Sequence, residues 1–157
     1  MTIPVDSVKS HTRREFCTCA CHAVTLLAAG ALSACGGPSA PSNVPQLGSV
    51  ATTVNGRTIT INVDASQTLS SVGSAAIAQT SLGSFLVART AQDAFTALTA
   101  ICTHEQCTVT GFANSRYVCP CHGSQYTTNG AVANGPATRA LQQFPTTFAN
   151  GVLTFTV

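Results

Sequence analysis

Cys102-Thr103-His104-Glu105-Gln106-Cys107 and Cys119-Pro120-Cys121-His122-Gly123-Ser124-Gln125-Tyr126 are the two stretches on which the reading of this chain turns. Each offers one cysteine and one histidine at close spacing plus a second cysteine, and a strand-turn-strand segment separates them. Eight cysteines occur in 157 residues, four of them in these two boxes. His104 and His122 are also the only histidines after residue 35. Thiolates and imidazoles converging from two loops at strand ends are the makings of a rigid metal site. A Cys2His2 set also suits structural zinc. Zinc would, however, leave two cysteines idle, and the spacings Cys-x-His and Cys-x2-His differ from those of zinc fingers.

Outward from the boxes, residues 50–157 are Thr, Val, Ile and Phe in short runs broken by Gly and Asn, the pattern of many short strands. Residues 58–63 alternate with period two directly after Asn55-Gly56, a dipeptide that tolerates the positive φ angles of a tight hairpin. Residues 84–89 and 94–101 form a second pair around 90–93, and residues 146–149 and 152–157 a third across Asn150-Gly151. The spacing predicts a mostly β, antiparallel domain. One short helix is expected over residues 70–78.

Residues 9–14 are basic, residues 23–34 form a short apolar run, and Leu32-Ser33-Ala34-Cys35 closes with small residues and a cysteine. That order is the n-region, h-region and cleavage site of an export signal over residues 1–35. Thr12-Arg13-Arg14-Glu15-Phe16 resembles the twin-arginine signal, whose pathway carries folded, cofactor-loaded proteins across the bacterial inner membrane. Leu32-Ser33-Ala34-Cys35 resembles a lipobox, which makes Cys35 the lipid-attachment residue and tethers the domain to the membrane. Cleavage without lipid and an uncleaved anchor over residues 16–34 are the alternatives. Cys17, Cys19 and Cys21 fall inside the discarded segment. Residues 36–49 hold three prolines, three glycines and three serines and read as a flexible linker. The folded domain is expected from residue 50, on the periplasmic side of the inner membrane.

Net charge is +2 and only 8% of residues are charged. With no basic cluster past Arg14, nothing offers a footprint for a phosphate backbone, so nucleic acid is excluded as a partner. No uninterrupted apolar run reaches the ~18 to 20 residues of a membrane-spanning helix.

The paired boxes resemble those of the Rieske iron-sulfur proteins, whose Cys-x-His and Cys-x2-His motifs hold a [2Fe–2S] cluster. The likeness extends over residues 50–157. It implies a Rieske-type antiparallel β-sandwich with a cluster-binding subdomain at one tip. It further implies Cys102 and Cys119 on one iron, His104 and His122 on the other, and a disulfide joining Cys107 to Cys121. Ser124 and Tyr126 correspond to hydroxyls that hydrogen-bond a bridging sulfide and a ligand thiolate, raising the potential. Gly135-Pro136-Ala137 resembles the proline loop that covers the cluster. Two ferric ions, two sulfides and two thiolates sum to zero formal charge, so an electron is accepted more readily than by an all-cysteine cluster. In the family the outer histidine nitrogens face solvent and lose protons when the iron is oxidised, which couples electron to proton uptake. A disulfide agrees with an exported location. Glu105 departs from the family pattern, standing where quinol-oxidising members carry an apolar residue, and Gln106 replaces the usual glycine.

The resemblance implies an electron-transfer protein passing one electron from a quinol or partner oxidoreductase to a periplasmic cytochrome. Such a chain is a component of an oxidoreductase rather than an enzyme on its own, and no histidines remain for the mononuclear iron of an oxygenase. The implied partners are a cytochrome b or c, or a molybdenum enzyme. Two alternatives stand beside this: the small Rieske subunit of a molybdenum oxidase such as the arsenite oxidase family, and a structural zinc-binding module without redox role.

Overall fold

The computed structural model describes residues 43–157. The expected export signal, Cys35 and residues 36–42 lie outside the described residues. Thirteen strands are formed: β1 (Gly48–Val50), β2 (Thr53–Asn55), β3 (Thr58–Asn62), β4 (Ala75–Thr80), β5 (Gly83–Ala91), β6 (Ala94–Thr99), β7 (Gly111–Ala113), β8 (Arg116–Val118), β9 (Gln125–Thr127), β10 (Val132–Asn134), β11 (Gln143–Phe144), β12 (Thr146–Ala149) and β13 (Val152–Thr156). The domain is mostly β, as the short alternating runs require. Its three expected hairpins are β2–β3, β5–β6 and β12–β13. Asn150 and Gly151 turn the last of these at φ 50° and 74°, a backbone that Asn and Gly tolerate best.

The strands make three sheets, in the orders β1-β4-β5-β6-β11, β10-β9-β8-β7 and β12-β13-β3-β2. Alternate residues of the central strands enter two different cores. Ala76, Ala78, Phe85, Val87, Phe95 and Ala97 pack with Ile59, Ile61, Leu153 and Phe155 of the β12-β13-β3-β2 sheet. Phe85 meets Phe144 and Phe155 edge-to-face, each at 5.5 Å. Ala75, Ile77, Leu86, Ala88, Leu98 and Ala100 pack on the other side with Tyr117, Tyr126, Cys102 and Cys119. The five-stranded sheet is thus covered on both faces, which is why its strands read as continuous apolar runs.

Two expectations are corrected. The short helix over residues 70–78 does not form: Gln67–Leu69 make one turn of 3-10 helix and β4 takes the rest. Small residues permit a helix, but burial of Ala75 to Ala78 between two cores demands a strand. The linker ends earlier than residue 49. β1 pairs parallel to β4, Gln46 bridges Gly111, the Leu47 amide donates to the Thr110 carbonyl at 2.7 Å, and the Phe112 amide donates to the Pro45 carbonyl at 2.9 Å. Residues 45–49 therefore belong to the domain. Their backbone groups dock on sheet edges whatever the side chains, so composition could not reveal it.

Candidate metal centre

Two loops carry the boxes, one following β6 and the other joining β8 to β9. They repeat the same hydrogen-bond frame. In the first, the Cys102 amide donates to the Cys107 carbonyl at 2.8 Å, and the Gln106 amide to the Cys102 carbonyl at 2.9 Å. In the second, the Cys119 amide donates to the Ser124 carbonyl at 2.8 Å, and the Gly123 amide to the Cys119 carbonyl at 3.0 Å. Each loop thus folds back on its first cysteine and projects its histidine outward.

Cys102 and Cys119 are buried free thiols close enough to perturb each other's ionisation. Burial pushes the Cys119 thiol up. Burial acts the same way on Cys102, but the Tyr126 hydroxyl, the His104 and Glu105 amides and the Cys119 thiol hydrogen-bond it and outweigh that effect, holding it below the ordinary thiol range. The His104 and His122 rings meet edge-on, with centroids 5.0 Å apart. His122 is half-exposed, yet its Nδ1 is buried without a hydrogen-bond partner. The Glu105 carboxylate lies 3.6 Å from it, too far for a hydrogen bond. Cys107 and Cys121 form the expected disulfide, and the Cys107, Cys119 and Cys121 sulfurs lie within 4.8 Å of one another.

The hydroxyls of Tyr126 and Ser124 are both held by hydrogen bonds next to the boxes. Tyr126 is fully buried; its hydroxyl lies 3.3 Å from the Cys102 sulfur and accepts from the Thr103 amide at 3.1 Å. Burial, followed by the neighbouring thiolate, pushes its ionisation up, so it remains a proton donor. Ser124 is buried, and its Oγ accepts from the Ala137 amide at 3.0 Å. That bond ties the segment Gly135-Pro136-Ala137 to the second box, and Ala137 shares the core that holds Cys102 and Cys119.

Sequence reasoning missed two residues here. The Thr103 hydroxyl lies 3.1 Å from the Tyr126 hydroxyl and donates to the Arg139 carbonyl at 2.6 Å, joining the first box to the segment after Pro136. Thr103 stood between two candidate ligands, the one signal available; Arg139 carried none.

The donor set fits a [2Fe–2S] group. Two sulfur donors lie buried on the inner side, two imidazoles lie on the outer side, and a buried ring nitrogen is left for a ligand to satisfy.

Comparison with known proteins agrees with that fit. The family model for the Rieske [2Fe-2S] domain matches residues 40–145. The cytochrome b6-f complex iron-sulfur subunit of Prochlorococcus marinus is 53% identical over 45 residues, which is 28% of this chain and 25% of that protein. The chloroplastic cytochrome b6-f complex iron-sulfur subunit of Bigelowiella natans is 54% identical over 46 residues, 29% of this chain and 18% of that one. The chain thus spans a quarter or less of these relatives' length. Among solved structures, a cyanobacterial plasma membrane Rieske protein from Synechocystis aligns with TM-score 0.47 and 28% identity over 52% of this chain and 84% of its own. The ferredoxin of carbazole 1,9a-dioxygenase from Nocardioides aromaticivorans aligns with TM-score 0.48 and 17% identity over 71% and 98%.

Proposed function

The chain belongs to the Rieske [2Fe-2S] domain family, and on that premise we propose that it relays single electrons between a quinol or partner oxidoreductase and a periplasmic cytochrome. The observation that carries this reading is the pairing of two buried thiols with two outward imidazoles on loops joined by a disulfide. When bound, the cluster supplies a one-electron site of high potential, because its histidine-side iron carries no anionic protein ligand.

The chain's own residues do the rest. Cys102 and Cys119 hold the inner side as thiolates, away from water. His104 and His122 hold the outer side and present their remaining ring atoms to a partner. Tyr126 donates toward the Cys102 sulfur, which favours the reduced, more negative state. Ser124 accepts from Ala137, so its own proton is free to point toward the site. The disulfide holds the two boxes together while charge changes between them.

The exported location and the lipid at Cys35 are part of this proposal. The disulfide supports them, since such bonds persist in oxidising compartments. A cytochrome bc complex or a molybdenum oxidase would supply the partner.

Visible and electron paramagnetic resonance spectra of the purified full chain, with acid-labile sulfide and metal content, test the proposal. Colour that bleaches with ascorbate as the reduced-cluster signal appears is the expected result. A colourless protein with one zinc per chain would overturn it.

A further inference from the structure

Beside the first box lies an open groove of about 430 Å³, lined in part by Cys102, Thr103, His104 and Gln106. One wall is the end of β6 with Ile101; the other is the segment carrying Arg139 and Gln142. Both walls are fixed. The Thr99 amide donates to the Gln142 carbonyl at 2.9 Å, and the Thr103 hydroxyl donates to the Arg139 carbonyl at 2.6 Å. The groove is therefore preformed, and Arg139 is carried on a segment tied to the metal-binding loop itself.

Charge is scarce in this domain, which makes its placement informative. The described residues hold four arginines and three acids. Arg57 is bound to the Val157 carbonyl end and Arg89 to the carbonyls of Leu69, Ser70 and Gln92. Arg116 and Arg139, in contrast, are exposed and have no side-chain hydrogen bond or ion pair among the described residues. Arg116 borders a different pocket, with Val44 and Asn114, whereas Arg139 lines the groove beside His104, and no acid lines that groove. Glu105 lies against His122, with a carboxylate oxygen 3.6 Å from its Nδ1. Ile101 adds one of the few exposed large apolar side chains, at 41%.

We propose that this groove is the docking site for an electron-transfer partner protein that presents a surface carboxylate beside an apolar contact, with Arg139 as the residue that selects it. The proposal deepens the reading of the chain as an electron carrier and rests on it. The carboxylate pairs with the Arg139 guanidinium, the apolar contact covers Ile101, and the partner then abuts the His104 edge, through which one electron leaves. The positive charge at Arg139 turns away partner surfaces that are basic where they meet the groove.

The test uses two exchange-inert oxidants of opposite charge, ferricyanide and tris(phenanthroline)cobalt(III), on the ascorbate-reduced full chain by stopped flow. Each takes one electron from the reduced protein, giving ferrocyanide or the cobalt(II) complex and the oxidised protein. Driving force is common to all variants if their potentials are equal, so the ratio of the two rates reads the local field. Arg139→Gln is expected to lower the ferricyanide-to-cobalt rate ratio by about threefold or more at low ionic strength, with the difference shrinking at high salt. Gln142→Glu, which brings a negative charge into the same groove, is expected to move the ratio the same way. An unchanged ratio in both variants, with the reduced-cluster signal and potential intact, would overturn the groove as docking site and leave the electron-carrier reading standing. Absence of that signal in the unsubstituted protein would overturn the reading and this inference with it.

Discussion

Gln106 occupies in the first box the place that Gly123 occupies in the second. Each follows its loop's first cysteine by four positions, each donates its amide to that cysteine's carbonyl, and both have positive φ, 56° and 73°. Glycine adopts this backbone without strain, whereas a residue with a Cβ carries a cost of about 1 to 2 kcal/mol.

Gln106→Gly should therefore stabilise the domain. Relief of the left-handed strain exceeds the extra chain entropy of glycine, about 0.5 to 1 kcal/mol, leaving a gain of about 0.5 to 1 kcal/mol. The midpoint of denaturant unfolding measures it. A loss of stability would mean that the Gln106 side chain makes compensating contacts.

Tyr126→Phe should lower the reduction potential while the cluster stays bound. One hydrogen bond toward the Cys102 sulfur is worth about 1 kcal/mol more in the reduced state, which is about 40 mV for one electron. Redox titration followed by circular dichroism reads the shift, and an unchanged potential would remove Tyr126 from the tuning role.

Ser124→Ala should act on two quantities at once. The Ala137 amide loses its acceptor inside the core, costing about 1 to 3 kcal/mol, and the potential falls as the hydroxyl is lost. Thermal unfolding and redox titration separate the two. A stability loss without a potential change would assign Ser124 to holding the Gly135-Pro136-Ala137 segment alone.

Replacing both Cys107 and Cys121 by alanine should loosen the boxes without removing any proposed iron ligand. Closing a loop of sequence separation 14 stabilises by about 3 kcal/mol. Faster bleaching of the visible absorption on warming is the expected result, with the same readout for the unsubstituted protein under thiol reductant.

The sequence alone was enough to single out the two boxes as one group of cysteines and histidines, because residue type and short spacing are local properties of the chain; the choice of Cys102, His104, Cys119 and His122 as ligands came through family resemblance. It was enough for the three hairpins, whose turns at Asn55-Gly56 and Asn150-Gly151 and period-two alternation are equally local. The disulfide and the two hydroxyls came through family resemblance; the folded chain forms the disulfide and sets the Tyr126 hydroxyl 3.3 Å from the Cys102 sulfur, while Ser124 meets the Ala137 amide.

What only the tertiary structure decided are relations between distant segments. Pro45 to Val50 add to sheets because their backbone amides and carbonyls meet open edges, a match invisible in a run of Pro, Gly and Ser. Residues 75–78 form a strand because two cores press on them from opposite faces. The chain from Cys102 through Tyr126 and Thr103 to Arg139 exists because β6, β9 and the segment after Pro136 converge at one end of the domain. Hydrogen bonds of this kind depend on distance and direction in space, and residue order along the chain carries neither.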